Sequence, residues 1–115
     1  MSLQIKRIYD TPSKRDGFRI LVDRIWPRGI SKAKGQVDQW LKDISPSTEL
    51  RKWFGHDSKR WKEFKQRYFN ELDQKGDVMN KILQKSAKTR VTLLYGAKDT
   101  VHNNAQALKD YIETL

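Results

Sequence analysis

The chain of 115 residues contains no cysteine. Disulfides, thiolate nucleophiles and Cys-built zinc sites are therefore excluded. Long apolar runs are missing as well. Nothing approaches the ~20 residues that a membrane span needs, and Met1 to Arg7 carries no apolar core of a secretory signal. Gly-x-Gly-x-x-Gly, the phosphate-loop pattern Gly-x-x-x-x-Gly-Lys-Ser/Thr and His-x-x-x-His are all absent. The two histidines, His56 and His102, stand far apart, so no metal and no cofactor are expected. There is no internal repeat, low-complexity tract or linker. What these absences leave is a cytoplasmic chain folded as one domain over residues 1–115, with no membrane partner.

Acidic residues are scarce. Asp and Glu total 14 against 24 Lys and Arg, a net charge of +10. Residues 1–36 hold nine basic and three acidic groups. A field of this sign attracts nucleic acid, nucleotides or other anionic small molecules. Apolar residues make up 37% of the chain, with four each of Trp, Tyr and Phe, enough for a packed core.

Hydrophobic spacing predicts strands at Gln4–Tyr9, Phe18–Ile25 and Arg90–Tyr95. The centres Ile20-Leu21-Val22 and Val91-Thr92-Leu93-Leu94 read as strands buried on both faces. Ser31 caps a short helix through Lys34, and Ser47 caps one running to Phe54, closed by Gly55. Trp61, Phe64, Tyr68 and Leu72 form one helical stripe, which Gly76 closes before Asp77 opens another helix. A last helix runs from His102 or Asn103 to Tyr111. Residues 36–44 fit a helix through Val37, Trp40, Leu41 and Ile44, or a short strand through Trp40. The expected fold is α/β, a small sheet of three or four mostly parallel strands with helices on both faces.

Two polar segments follow the two buried strands. They are Asp23-Arg24-Ile25-Trp26-Pro27-Arg28-Gly29 and Tyr95-Gly96-Ala97-Lys98-Asp99-Thr100-Val101-His102-Asn103-Asn104. If those strands run parallel, both segments fall beyond their carboxyl ends, where open α/β sheets bind ligands. One cleft then holds Asp23, Arg24, Arg28, Lys98, Asp99, His102 and Asn103. Arg24 and Arg28 suit phosphate or carboxylate oxygens because each guanidinium offers a two-pronged donor. As an imidazole, His102 can act as acid or base, and Asp23 or Asp99 is placed to orient it. Each has a plain structural alternative: a strand-end ion pair for Asp23–Arg24, a helix cap for His102 or Asn103, a hydrophobic plug for Trp26-Pro27. In Arg51-Lys52-Trp53-Phe54-Gly55-His56-Asp57, aromatic and basic residues interleave as on nucleic-acid stacking surfaces, but the aromatics are expected in the core. Arg51 is a further anion-binding group, with His56 beside it as a cleft wall.

These same segments, with Trp40-Leu41-Lys42, Pro46 through Asp57 and His102-Asn103-Asn104-Ala105, resemble the YeaO-like proteins. Those form the short branch of a bacterial family of unknown function, DUF488. The resemblance spans nearly the whole chain and implies a compact α/β domain in the cytoplasm without implying an activity. Longer members carry an Asp-x-Arg near an early strand and a Cys-His-Arg near the last. Here Asp23-Arg24 is similar to the first, and Val101-His102-Asn103 stands in place of the second, so no thiol chemistry of those relatives operates.

The leading expectation is a small enzyme or enzyme-like pocket for a phosphate-bearing ligand, a nucleotide or nucleic-acid end. Arg24, Arg28, Arg51, Lys98 and Asn103 would hold the anion, with Asp23, Asp99 and His102 as the catalytic group. The alternative is a non-catalytic nucleic-acid-binding module using Lys14, Arg15 and Arg19 of the basic first third.

Overall fold

Val91–Tyr95 is buried at all five residues because it lies inside the sheet with a neighbour on each side. The computed structural model describes residues 2–115. Its sheet comprises β1 (Leu3–Arg7), β2 (Phe18–Leu21), β3 (Gln39–Trp40) and β4 (Val91–Tyr95). The spatial order is β1-β4-β2-β3, and every pairing is parallel. β1 and β2 are therefore not neighbours: β4 sits between them, and residues 8–17 carry the chain past it. All four carboxyl ends consequently point to one edge of the sheet.

The helices are α1 (Lys32–Gly35), α2 (Thr48–Phe54), α3 (Trp61–Leu72), α4 (Gly76–Lys88) and α5 (Asn104–Glu113). They cover the two faces unequally. Ile20, Val91, Leu93 and Tyr95 belong to a large core with buried side chains of α2 through α5. On the other face Ile8, Leu21 and Leu94 meet a smaller cluster of Trp26, Ile30, Val37 and Trp40. Near the amino ends of the strands that second face is polar. Buried Asp16 pairs with buried Arg19 and with Lys6, and the Thr92 hydroxyl donates to the Asp16 carbonyl at 2.7 Å. Burial pushes the Asp16 carboxyl up, but the Ser13 N–H, Lys6 and Arg19 outweigh it and hold it below its ordinary value.

Several boundaries depart from the expected ones. β2 stops at Leu21 instead of Ile25. Val22 N–H still donates to the Leu94 carbonyl at 3.1 Å, but Asp23 then turns its carboxylate to the end of β4, leaving Ile25 64% exposed. Residues 36–44 form the two-residue strand β3 and a 3-10 turn, Lys42–Ile44. The helix reading fails because Val37 and Trp40 enter the small core while Leu41 and Ile44 enter the large one. The chain passes the sheet edge between them, and one helical stripe cannot serve both faces. Gly76 opens α4; it does not close α3, which ends at Leu72. It has no positive φ, so it does not serve as a left-handed helix stop.

Gly17 is where glycine is required. Its φ is +67°, and a Cβ there would lie 2.2 Å from the Arg90 carbonyl oxygen. That oxygen accepts from Phe18 N–H at 2.8 Å, the first bond that docks β2 on β4. Gly17→Ala is expected to cost ~2 kcal/mol or more from the strained φ and the backbone clash. Urea unfolding checks this; an unchanged midpoint would mean that the start of β2 relaxes freely.

Candidate functional site

The ends of β2 and β4 meet through one carboxylate. Asp23 Oδ2 accepts from Gly96 N–H at 2.8 Å, and Oδ1 accepts from Asn104 Nδ2 at 3.1 Å. The same Asn104 amide donates to the Val22 carbonyl at 3.0 Å. Thus Asp23 joins both central strands to the first turn of α5. A Cβ on Gly96 would lie 3.2 Å from Asp23 Oδ2, so a side chain there would crowd the joint. Burial raises the Asp23 carboxyl above its ordinary value, opposed by Gly96 N–H, Asn104 and the Arg51 charge.

Beyond this joint lies a cavity of about 680 Å³. Asp23, Arg24, Arg28, Arg51, His102 and Asn103 all line it. Arg28 and His102, far apart in the chain, therefore share one concavity. His56 and Lys52 line it too, and Ile25, Pro27 and Phe54 give it apolar wall. Four basic side chains (Arg24, Arg28, Arg51, Lys52) face one carboxylate, Asp23, before either imidazole is counted. Arg24 reaches the Ser45 carbonyl only at 3.5 Å, and its buried Nε has no hydrogen-bond partner among the described residues. The Ser45 carbonyl is already served by Lys75 Nζ at 3.0 Å. His56 follows Gly55, and both lie in the left-handed region, at φ 58° and 54°. A non-glycine residue held there stores strain.

Lys98 and Asp99 do not line the cavity, which corrects the expected cleft. The loop closes on itself. Asp99 Oδ1 accepts from the backbone N–H groups of Val101 (2.9 Å) and His102 (2.8 Å), while Oδ2 lies 3.0 Å from His102 Nδ1. This curl turns Asp99 away from the pocket and leaves Lys98 exposed in solvent. Of the two aspartates, Asp99 is the one that holds the imidazole. The His102 ring is also set edge-on against Trp61, with centroids 5.3 Å apart. Asn103 is the N-cap of α5: its Oδ1 accepts from Gln106 N–H at 2.8 Å and its Nδ2 donates to the Asp99 carbonyl at 3.0 Å. Both of its polar atoms are thereby engaged.

Asp23 and Arg24 make no ion pair with each other among the described residues. Trp26 packs edge-on to Trp40 and donates its Nε1 proton to the Ile30 carbonyl at 2.7 Å, closing the excursion that carries Arg28. Tyr9, whose hydroxyl donates to the Arg28 carbonyl at 2.9 Å, steadies the same loop and lines the cavity. Arg19, one of the cations of the alternative nucleic-acid reading, is buried against Asp16 and is not a surface group. Lys14 and Arg15 are exposed beside Arg90, at the opposite edge of the sheet from the cavity.

Asn104 lies in the second polar segment, but sequence reasoning gives it no role at the site. Its signal is weak: a second Asn after a capping Asn, at a position where helices favour better formers. Ile25 and Lys52 stand within segments the sequence singles out but carry no assigned role there, and Tyr9 gives no signal that distinguishes a lining residue from an ordinary surface one. Among the described residues, no group of three or more His, Asp or Glu is arranged to hold a metal ion, and no helix is long and apolar enough to cross a membrane.

A family model described as "Inactive DUF488-N3 subclade" matches residues 2–115. The uncharacterized protein YeaO of Escherichia coli (strain K12) is 44% identical over 115 residues, covering 100% of both chains. The uncharacterized protein Rv3073c of Mycobacterium tuberculosis (strain ATCC 25618 / H37Rv) is 41% identical over 92 residues, 78% of each chain. The uncharacterized protein Mb3100c of Mycobacterium bovis shows the same 41% over 92 residues. No solved structure matches the chain.

Two outcomes are expected at this site. Asp23→Ala strands the Gly96 and Asn104 donors and should lower unfolding stability by ~2 kcal/mol or more in urea; an unchanged midpoint would show that the joint is dispensable. Asp99 is held at about 2, first by the His102 N–H, then by the Val101 N–H and the His102 ring. Because its folded value is depressed, the stability it contributes is complete above the ordinary carboxylate value and fades as pH falls through about 2. An NMR titration of the Asp99 carboxyl carbon should have its midpoint near that value, and a midpoint near 3.8 would contradict the turn geometry.

Proposed function

The chain belongs to the DUF488 family, in the subclade described as inactive DUF488-N3, and we propose that it binds a phosphate-bearing ligand at the carboxyl edge of its sheet without transforming it. The observation that carries this reading is the cationic lining of the cavity, with a buried Arg24 Nε that lacks a partner. A buried orphan donor costs ~1–3 kcal/mol, and an anion's oxygen would satisfy it. The volume suits a nucleotide-sized molecule, with Ile25, Pro27 and Phe54 beside its apolar part.

The absence of turnover follows from how the reactive groups are already engaged. Asp23 holds Gly96 and Asn104, and Asp99 holds its own loop. Asn103 caps a helix. The Ser45 hydroxyl donates to the Lys42 carbonyl at 2.6 Å and is wholly buried. That leaves two imidazoles, His56 and His102, the Thr48 hydroxyl and a set of cationic side chains, a lining richer in groups that recognise charge than in activated nucleophiles. The word "inactive" in the family description agrees with this reading.

Isothermal titration calorimetry with nucleoside 5′-monophosphates tests it. Binding is expected, with the ligand recovered intact after prolonged incubation. Arg28→Ala and Arg51→Ala, both exposed positions, should each weaken binding ~10- to 100-fold, the worth of a charge-assisted hydrogen bond. Absence of any binding would defeat the pocket. Turnover that disappears in His102→Ala would make the protein an enzyme instead.

A further inference from the structure

We propose that the ligand is the terminal phosphorylated nucleotide of a single-stranded nucleic acid, with the phosphates that follow it running along Lys52, Lys59, Arg60 and Lys62. The proposal rests on the pocket reading above and extends it outward from the cavity mouth.

Lys52 lines the cavity and lies on α2. The chain then reverses at Gly55 and His56, and a 3-10 turn, Ser58–Arg60, leads into α3. Between Ser58 and Asn70 there are five cations, Lys59, Arg60, Lys62, Lys65 and Arg67, against one acid, Glu63. A solvated helix face intersperses acids at i,i+4 to offset such charge, and here only Glu63 does so, by pairing with Arg67. Arg60 lies 3.8 Å from Asp57, and Lys65 is paired with Asp110 at 2.7 Å. Lys52, Lys59 and Lys62 have no carboxylate partner among the described residues, and all three are exposed.

The surface also offers a stacking element. Half-buried Trp53 carries the Arg67 guanidinium 4.3 Å from its ring centroid and that of Arg60 at 5.3 Å. Guanidiniums held beside an indole combine positive charge with an aromatic ring, the pairing that single-strand surfaces use to hold unpaired bases. The cavity admits about one nucleotide. A duplex end does not enter a concavity of that size, so the chain that threads toward it is a single strand. Unpartnered cations that follow Lys52 in the chain are what a strand terminus would use beyond the pocket and a free nucleotide would not.

Calorimetry over a series of salt concentrations from about 0.05 to 0.2 M compares DNA and RNA octamers bearing a 5′- or 3′-phosphate, the same octamers with hydroxyl ends, a nucleoside monophosphate, and heparin. A phosphorylated octamer should bind ~10-fold or more tighter than both the mononucleotide and its unphosphorylated counterpart. Lys59→Gln combined with Lys62→Gln should abolish the advantage over the mononucleotide, leave mononucleotide affinity unchanged, and reduce the salt slope by about 1.4, roughly 0.7 for each phosphate no longer neutralised. Unchanged thermal unfolding of that double variant would confirm its fold. An octamer no tighter than a mononucleotide that itself binds overturns the strand proposal and leaves the pocket standing. Binding indifferent to the end phosphate and matched by heparin also overturns it, since the surface would then be a general polyanion patch. If neither octamer nor mononucleotide binds, the pocket reading and this proposal fall together.

Discussion

The Asp23 carboxylate is the constraint on which the site depends. Parallel strands end with unpaired backbone groups, and side by side they need something to fix their exits. Asp23 does this by accepting from Gly96 at the end of β4 and from Asn104 at the start of α5. The side chain is held largely out of water, which disfavours its charge, yet its two donors and Arg51 offset part of that cost. Because both oxygens are engaged, the position of the 24–30 excursion relative to the 96–103 loop follows from it. Arg28 on the one and His102 on the other share a cavity for this reason.

The parts of the fold legible in the sequence are those with one dominant local cause. β4 is a continuous apolar run and is buried throughout. α2 begins at a serine that accepts from Leu50 N–H and ends at a glycine in the left-handed region. α3 buries Phe64, Tyr68 and Leu72 as its spacing requires. Where the sequence misleads, tertiary geometry decides. Val37 to Ile44 have helical spacing only because the chain serves first one face of the sheet and then the other. Periodicity registers burial and is blind to which core does the burying. Likewise, nothing local shows that β4, last in the chain, inserts between β1 and β2.

For the candidate site, the location is readable because it follows from topology: buried parallel strands exit at one edge, and polar residues after each must lie near one another. The roles are less readable. In sequence, Asp99 and Lys98 look equivalent to Asp23 and Arg24 as members of a polar cluster. The difference is whether a short polar side chain is captured by its own backbone. Asp99 is followed by residues whose N–H groups fold back on it within three positions, a competition typical of Asp in loops. Asp23, at the end of a strand, has no such local donors and reaches across 73 positions instead.

The distribution of cations makes the same point about charge. The basic excess of residues 1–36 suggests one electropositive surface, but it is divided in space. Lys6 and Arg19 neutralise buried Asp16. Arg7 donates to the Ala97 carbonyl at 2.9 Å. Lys14 and Arg15 lie at the far edge of the sheet, and only Arg24 and Arg28 reach the cavity. In the middle of the chain, acids such as Glu71 and Asp73 are spent on holding elements together rather than on pairing with the cations of α3. Glu71 accepts from the backbone N–H and hydroxyl of Ser47, and Asp73 accepts from the Tyr111 hydroxyl at 2.7 Å. What a ligand meets is set by the cations left without partners after folding, and those at the cavity are Arg24, Arg28, Arg51 and Lys52.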